Sequence, residues 1–571
     1  MLVIATRALL AAALVQGWSS HPVQGTSGIS PADSQHVVRG LQSTQRSFES
    51  FRRSRLPVRE RGSGPCDIHV GRYCYWRGDD DDDDRMPEEA AAIRARRTEL
   101  IRSLDSAATL LEGDTWVAGQ LVRYLVEAGR TDDAIRFTRD RCRSGAAWCA
   151  ALAGYASHIA GRFAAADSAY EVALSEMPPA ERCRWLDVSD LLANDLAHRY
   201  DAVGCDGRDS LTRRILWLGA PLYSVAATDL FTEHLARFTR VRMAEHSAEP
   251  DGESWGDDVR ELMLRYGWPR WYSRSEPPMG SQMEPSITGH DAGMPYDFIP
   301  RLHALDHIGH VNADDWTLDD GRAPTGYAPS FARSVHDLPG QIATFRRGDS
   351  ALVVAAWDVR RDTTLLGRRL QAALVLASPA CELAISRDSA ARTVGRLWTT
   401  ARLDSGLVSL ELLAPSERRA ARLRVGLPAR DTARVALSDL LLFAVSGAPS
   451  NRLELVRDSA LATNVISGAR GVGVYWETYG LLPSAEPLHF TLRVEQFGAG
   501  WFRRTAERLH LADPTSGLRL QWDEVPEQVD GRAARGLRLD LSRLRAGRYR
   551  VSLTARAHDG TATTVREIEV R

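Results

Sequence analysis

WGDDVRELMLRYGWP, running from Trp255 to Pro269, marks the point at which one periodicity gives way to another. Upstream, in stretches such as LVRYLVEAGRTDDAIRFTRD (Leu121 to Asp140), apolar residues recur three and four apart. That is the spacing of helices with one buried face. Downstream, from Gly340, they alternate, as in QIATFRRGDSALVVAAWDV, and alternation is the period of strands. A chain that changes period in this way is an α+β multidomain protein, with N-terminal α-helices followed by a C-terminal antiparallel β-sandwich region. The stretch itself has an aromatic near each end, a glycine able to take positive φ and a proline that fixes φ, which together make a rigid corner. Trp255, Tyr266 and Trp268 are therefore expected to be substantially buried and to join the two halves. Asp257 and Asp258 are adjacent. On a strand they point to opposite faces and cannot act as a facing acid–base pair. Asp258 is expected to cap or to pair with an arginine.

Between 87 and 246 the pattern is helical. CAALAGYASHIAGRFAAADSAYEVALSEMPP, from Cys149 to Pro179, resembles a tetratricopeptide (TPR) repeat through Gly154, Gly161, Ala166, Tyr170, Ala173 and Pro178. Gly129 and Ala134 repeat the pattern upstream, close to the ~34-residue period of such repeats. An irregular helical bundle is the alternative. Residues 247–335 hold the Trp255–Pro269 stretch and a long loop rich in Pro, Gly and aromatics. Trp271, Tyr272, Tyr296 and Phe298 argue that this loop wraps over a surface. Strand patterns then fill 336–447 and 448–571, as one sandwich or as two dividing near Gly447–Asn451, with ARVALSDLLLF (Ala433 to Phe443) closing the first set.

At 571 residues the chain exceeds a single core. Its net charge of −2 gives no drive toward nucleic acid or an anionic membrane. All 72 basic residues are arginine, which excludes Schiff-base or Walker-type lysine chemistry and predicts Arg–Asp and Arg–Glu ion pairs. Residues 1–25 have one arginine, Arg7, before the apolar run Ala8–Val15. This is the pattern of a secretory signal peptide, with an uncleaved anchor as the alternative. No later segment is long and apolar enough to span a membrane, so no transmembrane span is expected after signal removal. Residues 26–86 are expected to be a mostly disordered linker carrying the acidic run Asp79–Asp84, which lacks the spaced ligands of a calcium loop. Seven cysteines fit an oxidising compartment. Nearest-neighbour pairing gives Cys66–Cys74, Cys142–Cys149 and Cys183–Cys205 with Cys381 free in a strand-like segment; other pairings among the middle four stay open.

The sharpest polar cluster is HALDHIGH, with His303, His307 and His310 at i, i+4 and i+7, and His290 and Asp291 upstream. On a helix these imidazoles share a face and could hold one metal, but Gly309 interrupts it and no His-Glu-x-x-His pattern is present. Capping or solvated histidines are the plainer reading, so no metal and no cofactor is expected. No Gly-x-Ser-x-Gly elbow occurs. GARGVGVYW (Gly468 to Trp476) has phosphate-loop glycine spacing but lies among strands, where a turn is expected.

The Trp255–Pro269 stretch also resembles the signature of the GWxTD domain. Trp255, Asp258, Tyr266, Gly267 and Pro269 fall in register, while Ser254, Asp257, Val259 and Arg260 replace Gly, Thr, Arg and Gly. Trp217, Pro221, Glu233, His234 and Arg237 match the same family's upstream segment, with Ala220 in place of Asp, and Ser438-Asp439 before an apolar run adds to the match. The resemblance implies an exported bacterial protein and an apolar strand inside the signature; it carries no activity. The expected role is therefore an exported, non-enzymatic scaffold or binding protein of the bacterial cell envelope, periplasmic or extracellular. Its partner would be a protein or glycan held in the helical-repeat groove or at sandwich loops. The rival is a hydrolase or metal-dependent enzyme with its site around His290–His310.

Overall fold

The computed structural model describes residues 30–59, 68–75, 86–275, 285–290, 296–319, 321–402, 405–429, 435–466, 471–481, 487–496, 517–529, 531–558 and 560–571. The signal-like stretch, the acidic run, Cys66 and Asp291 lie outside them. The N-terminal half is helical, with α1 (Pro31–Arg53), α2 (Ala91–Leu110), α3 (Thr115–Glu127), α4 (Thr131–Asp140), α5 (Ala146–Ile159) and α6 (Phe163–Glu176). Then follow α7 (Pro179–Trp185), α8 (Asn194–Asp201), α9 (Cys205–Leu218), α10 (Asp229–Ala244) and α11 (Asp257–Tyr266). A short α12 (Leu302–Asp306) comes later. Helices α3 and α5 end alike. Gly129 and Gly161 adopt φ of 72° and 71°, and the next N–H, Arg130 or Arg162, reaches back to Leu125 O or Ser157 O. This αL ending turns each chain into the next helix. Gly154 lets α5 and α6 touch, because a Cβ there would meet the Tyr170 ring at 2.8 Å.

Two expectations fail in this half. The stretch after residue 26 is not mostly disordered, because α1 packs on α2 and α3. Its buried face is largely polar: Leu41, Gln45, Phe48, Glu49 and Arg52 share a helical stripe. A hydrophobicity count misses such a face, which is held by hydrogen bonds, with Gln45 and Glu49 both bonded to the Tyr124 hydroxyl. The signature is also a helix, not a strand. Val259, Met263, Leu264 and Tyr266 fall on one side, Asp257 and Asp258 occupy the first turn and Arg265 the last, all of which favour α over β.

Hairpin β1 (Ile68–Val70)–β2 (Tyr73–Tyr75), which precedes α2, packs on α11, and hairpin β3 (Trp271–Arg274)–β4 (Ile287–His290) follows α11 in sequence. The C-terminal strands begin with β5 (Ser334–Asp337), β6 (Gly340–Arg347), β7 (Ser350–Asp358) and β8 (Leu370–Ala377). They continue with β9 (Leu383–Ala391), β10 (Val394–Ala401), β11 (Gly406–Ala414) and β12 (Arg419–Leu427). Sheet β10-β7-β6 covers sheet β5-β12-β11-β8-β9 around Val353, Ala355, Trp357, Leu374, Leu376 and Leu410. The remaining strands are β13 (Ala436–Leu437), β14 (Leu441–Ala444), β15 (Val465–Ile466), β16 (Val472–Tyr479), β17 (Leu488–Gln496) and β18 (Leu518–Glu524). After them come β19 (Arg532–Leu539), β20 (Gly547–Ala557) and β21 (Gly560–Val570), with α13 (Leu453–Asp458) between β14 and β15. Strands β13, β14 and β19 pair with β16, and β15-β21-β20-β17-β18 forms the facing sheet, closing on Trp476, Phe490, Leu492 and Val551.

There are thus two sandwiches, and their boundary falls before Ala436 rather than at 447. β13 and β14 pair with β16 of the second sheet set. The expected single strand 433–443 is broken there: Ser438 Oγ accepts the Glu477 N–H, and Asp439 Oδ2 accepts the Thr344 N–H. Cys381 sits in the turn between β8 and β9, not in a strand. It is free and exposed.

Strand periodicity explains how the layers stack. On β8 and β11 one set of side chains fills the first sandwich, and the alternate set, Ala373, Val375, Ala377 and Leu407, packs on Trp217, Leu218, Tyr223 and Trp316. On β7 the alternate set, Val354 and Ala356, packs against Leu441, Phe443 and Tyr475 of the second sandwich. Burial on both faces is why these strands read as unbroken apolar runs.

Cysteines 142–149 and 183–205 are disulfide-bonded, across 7 and 22 residues. Cys74 is also disulfide-bonded. Peptide mapping without reductant is expected to recover the first two pairs and an alkylated Cys381. Reducing Cys183–Cys205 is expected to cost about 3 kcal/mol by loop entropy, read as a lower melting temperature. Free thiols at all four positions in native protein would contradict the pairing.

Candidate functional site

Glu233 and Arg237 of the upstream segment meet Tyr266, Gly267 and Pro269 of the Trp255–Pro269 stretch at one place. Arg237, on α10, donates from Nε to Glu233 Oε1 at 2.6 Å. Its Nη1 reaches Leu264 O at 3.1 Å and Arg265 O at 2.8 Å, and its Nη2 reaches Gly326 O at 2.7 Å. One buried guanidinium thus holds the C-terminal carbonyls of α11 against α10. Gly267 follows with φ of 88°, and its missing Cβ would lie 3.7 Å from the same guanidinium. This left-handed residue ends the helix and turns the chain into Trp268-Pro269 and β3. Pro269 packs over Gly289 of β4, where a Cβ would come within 2.3 Å of Pro269 Cγ.

This corner forms one wall of a cavity of about 740 Å³ between the helices and the wrapped segment. The volume lies within the roughly 300–1,000 Å³ of small-ligand clefts. Tyr266, Gly267, Trp268, Pro269, Trp271 and Tyr272 come from the corner and β3. Tyr155 and His158 come from α5, Glu233, Arg237 and Arg240 from α10, and Glu127 from α3. Arg52 from α1, Arg97 from α2 and Glu249 from the α10–α11 connection complete the polar part. Tyr327 lies across from them. The cavity therefore combines six aromatic rings with a floor of paired arginines and glutamates.

The floor is held in fixed geometry. Glu127 accepts from Arg52 at 3.0 Å and from Arg123 at 2.9 Å, and Glu249 accepts from Arg123 at 2.8 Å and from Arg240 at 2.7 Å. Burial raises the Glu127 carboxyl, but Arg123 and Arg52 outweigh it and hold the group far below the usual range. His158 places Nε2 2.7 Å from Glu233 Oε2 and Nδ1 2.9 Å from Thr232 Oγ1, so both ring nitrogens are engaged. His234, the neighbour of Glu233, turns away from the cavity and bonds Trp185 O through Nε2. Burial pushes its imidazole down to about 4.

Tyr266 is buried, whereas Trp255 and Trp268 are half-buried. Trp255 packs on Val241, Ala244, Met263 and Leu264. Trp268 stands 5.7 Å from Tyr155, ring to ring, beside the cavity. Trp268 keeps one side open to the cavity. Asp258 pairs with Arg72 of the β1–β2 turn at 3.1 Å.

The histidine cluster does not assemble. The helical run is short: α12 stops at Asp306, His307 caps it and Gly309 lies in a separate short turn that His310 closes. His303 bonds Asp315 at 2.9 Å, and His290 lies on β4, stacked on Trp271 at 3.8 Å and bonded to Ser273. Among the described residues no three His, Cys, Asp or Glu side chains come together as a metal ligand set. Of the cavity residues, Glu233, Arg237, Tyr266, Gly267 and Pro269 are visible in the sequence motifs. Arg52, Glu127, Tyr155, His158, Arg240 and Glu249 come from five separate elements with no local pattern to join them.

The fold and site define a helical region with a cavity, followed by two largely antiparallel β-sandwiches in which β5–β12 and β15–β21 are parallel pairs. No family model matches the sequence, and no curated protein matches it. Solved structures similar to parts of it include the FN1–FN3 domains of chicken CNTN1, at 9% identity over 42% of this chain and 68% of that one, with a TM-score of 0.16. Red sea bream transglutaminase aligns at 13% identity over 42% and 32%, TM-score 0.12. Salmonella alpha-2-macroglobulin aligns at 9% over 44% and 24%, TM-score 0.17. Scores this low carry no argument about fold or function. No helix among the described residues is long and apolar enough to cross a membrane.

Proposed function

We propose that the chain is an exported, non-enzymatic binding protein of the cell envelope and that its ligand is a glycan held in the cavity beside Trp268. The helical part acts as a TPR-like scaffold whose inner groove the GWxTD-like corner closes into a pocket. One observation carries the reading: six aromatic side chains and a fixed set of Arg–Glu pairs line the same cavity. Aromatic faces are negative at the centre and attract the C–H face of a sugar ring. Planar guanidinium and carboxylate groups match the hydroxyls around its edge. Among the described residues His158 is bonded through both ring nitrogens and the lining carboxylates are paired with arginines, a fixed polar surface that supports the binding reading. The disulfides fit export.

Glycan-array screening of the full chain, followed by titration calorimetry on Trp268→Ala, tests this. The variant is expected to lose about tenfold or more in affinity, as truncated aromatics in binding pockets do, with a small change in melting temperature because Trp268 is half-buried. A variant that binds as the wild type does, or a wild type that cleaves the sugar, would overturn the reading.

A further inference from the structure

The part of a glycan that the cavity reads can be narrowed, resting on the reading of the cavity as a glycan site. Six aromatic rings line it, but they do not offer six stacking faces. Tyr155, Tyr266, Trp271, Tyr272 and Tyr327 each keep less than a tenth of their surface accessible. Trp271 is covered by β4 and by the chain after α1: the His290 imidazole lies nearly parallel to it at 3.8 Å, and the Arg59 guanidinium stands over the ring at 5.1 Å. The Arg52 guanidinium lies over Tyr272 at 5.7 Å, and the Tyr266 hydroxyl donates to Ala323 O. Trp268 differs. It is half-buried, and Tyr155, 5.7 Å away and inclined at 45°, meets it at an angle and not face to face. The cavity therefore offers one open indole face, and an indole face is broad enough for one pyranose ring.

The ion pairs of the same cavity present their acceptor side. In the Glu89–Arg97, Glu127–Arg52 and Glu249–Arg240 pairs the carboxylate is the more accessible partner. The glutamate side chains keep 29, 22 and 12% of their surface, against 6, 9 and 5% for the arginines. A carboxylate oxygen already held by one guanidinium has a second lone pair for another donor, and a sugar hydroxyl is such a donor. A second sugar residue in the cavity would need a second open face, which the covered rings do not supply. We infer that the cavity reads one sugar residue, a monosaccharide or the end unit of a glycan chain, stacked on Trp268 with its hydroxyls donating to the paired glutamates.

The test is calorimetry on the full chain with three β-linked series, of glucose, N-acetylglucosamine and mannose. Each series runs from the methyl glycoside of a single unit to chains of two, four and six units. In at least one series the single-unit glycoside is expected to bind, with an affinity within about threefold of the six-unit chain. The matching polysaccharide should titrate one protein molecule per chain, and partial depolymerisation should raise the number of sites per unit mass as new ends are made. An affinity that climbs beyond about threefold from one unit to six, or a polymer that takes several protein molecules along its length, would overturn the single-residue inference and leave the cavity a glycan site. Binding of no chain at any length would overturn both.

Discussion

Arg237→Ala is expected to destabilise the helical half by about 3–5 kcal/mol, the usual cost of removing one partner from a buried ion pair. The variant leaves Glu233 buried beside a single imidazole, and it strips a donor from three main-chain carbonyls at the end of α11 and at Gly326. Burial raises the Glu233 carboxyl, but Arg237 and His158 outweigh it and hold the group at about 2. A depressed carboxyl gives stability that is full above its ordinary value of 4.5 and is lost as the pH falls from there through about 2. The variant should therefore lose most of that acid dependence along with its stability. Arg237→Met with Glu233→Leu should recover part of the loss, because no charge is then left buried alone. Melts of the three proteins between pH 2.5 and 7 are the measurement, and overlaying curves for wild type and Arg237→Ala would remove this residue from the account.

Arg424→Ala is expected to cost about 3 kcal/mol or more, since each buried carbonyl left without its donor costs about 1–3 kcal/mol, and to uncouple the helical half from the first sandwich. Arg424 and Arg422, on β12, donate to Leu218, Ala220 and Pro221 carbonyls just past α9. From the neighbouring β11, Glu411 accepts the Tyr223 and Ser224 N–H groups at 2.9 and 2.8 Å. Arg424 also lies over the Tyr223 ring at 4.4 Å. These groups are almost fully buried, so each lost bond exposes a partner with nothing to replace it. Calorimetry is expected to show one transition in the wild type splitting into two in the variant. A single transition at an unchanged temperature would contradict the joint.

The sandwiches were legible because strand patterns, whether alternating or short and continuously apolar, are local signals. The strand pattern of QIATFRRGDSALVVAAWDV is realised as the β6–β7 pair. The helices were legible for the same reason, α1 excepted. Its buried stripe contains Gln45, Glu49 and Arg52, which read as surface until Tyr124, Glu127 and Arg123 are brought to them by α3. The boundary at 447 failed because β13 and β14 choose their sheet by pairing with β16, a contact no local pattern reports. Inside the signature, the family-like pattern suggested a strand, whereas the spacing of Val259, Met263 and Tyr266 already favoured a helix. The cavity was half visible: the wall from Tyr266 to Pro269 stands in a motif, while the floor is assembled from α1, α2, α3 and α10 by tertiary packing alone.

Hydrogen–deuterium exchange of the full chain, with and without a bound oligosaccharide from the array, tests the central claim most directly. Binding in the cavity predicts slowed exchange in three places: around Tyr155–His158, along Glu233–Arg240 and from Tyr266 to Tyr272. Slowed exchange confined to the sandwich loops, with those three segments unchanged, would contradict it.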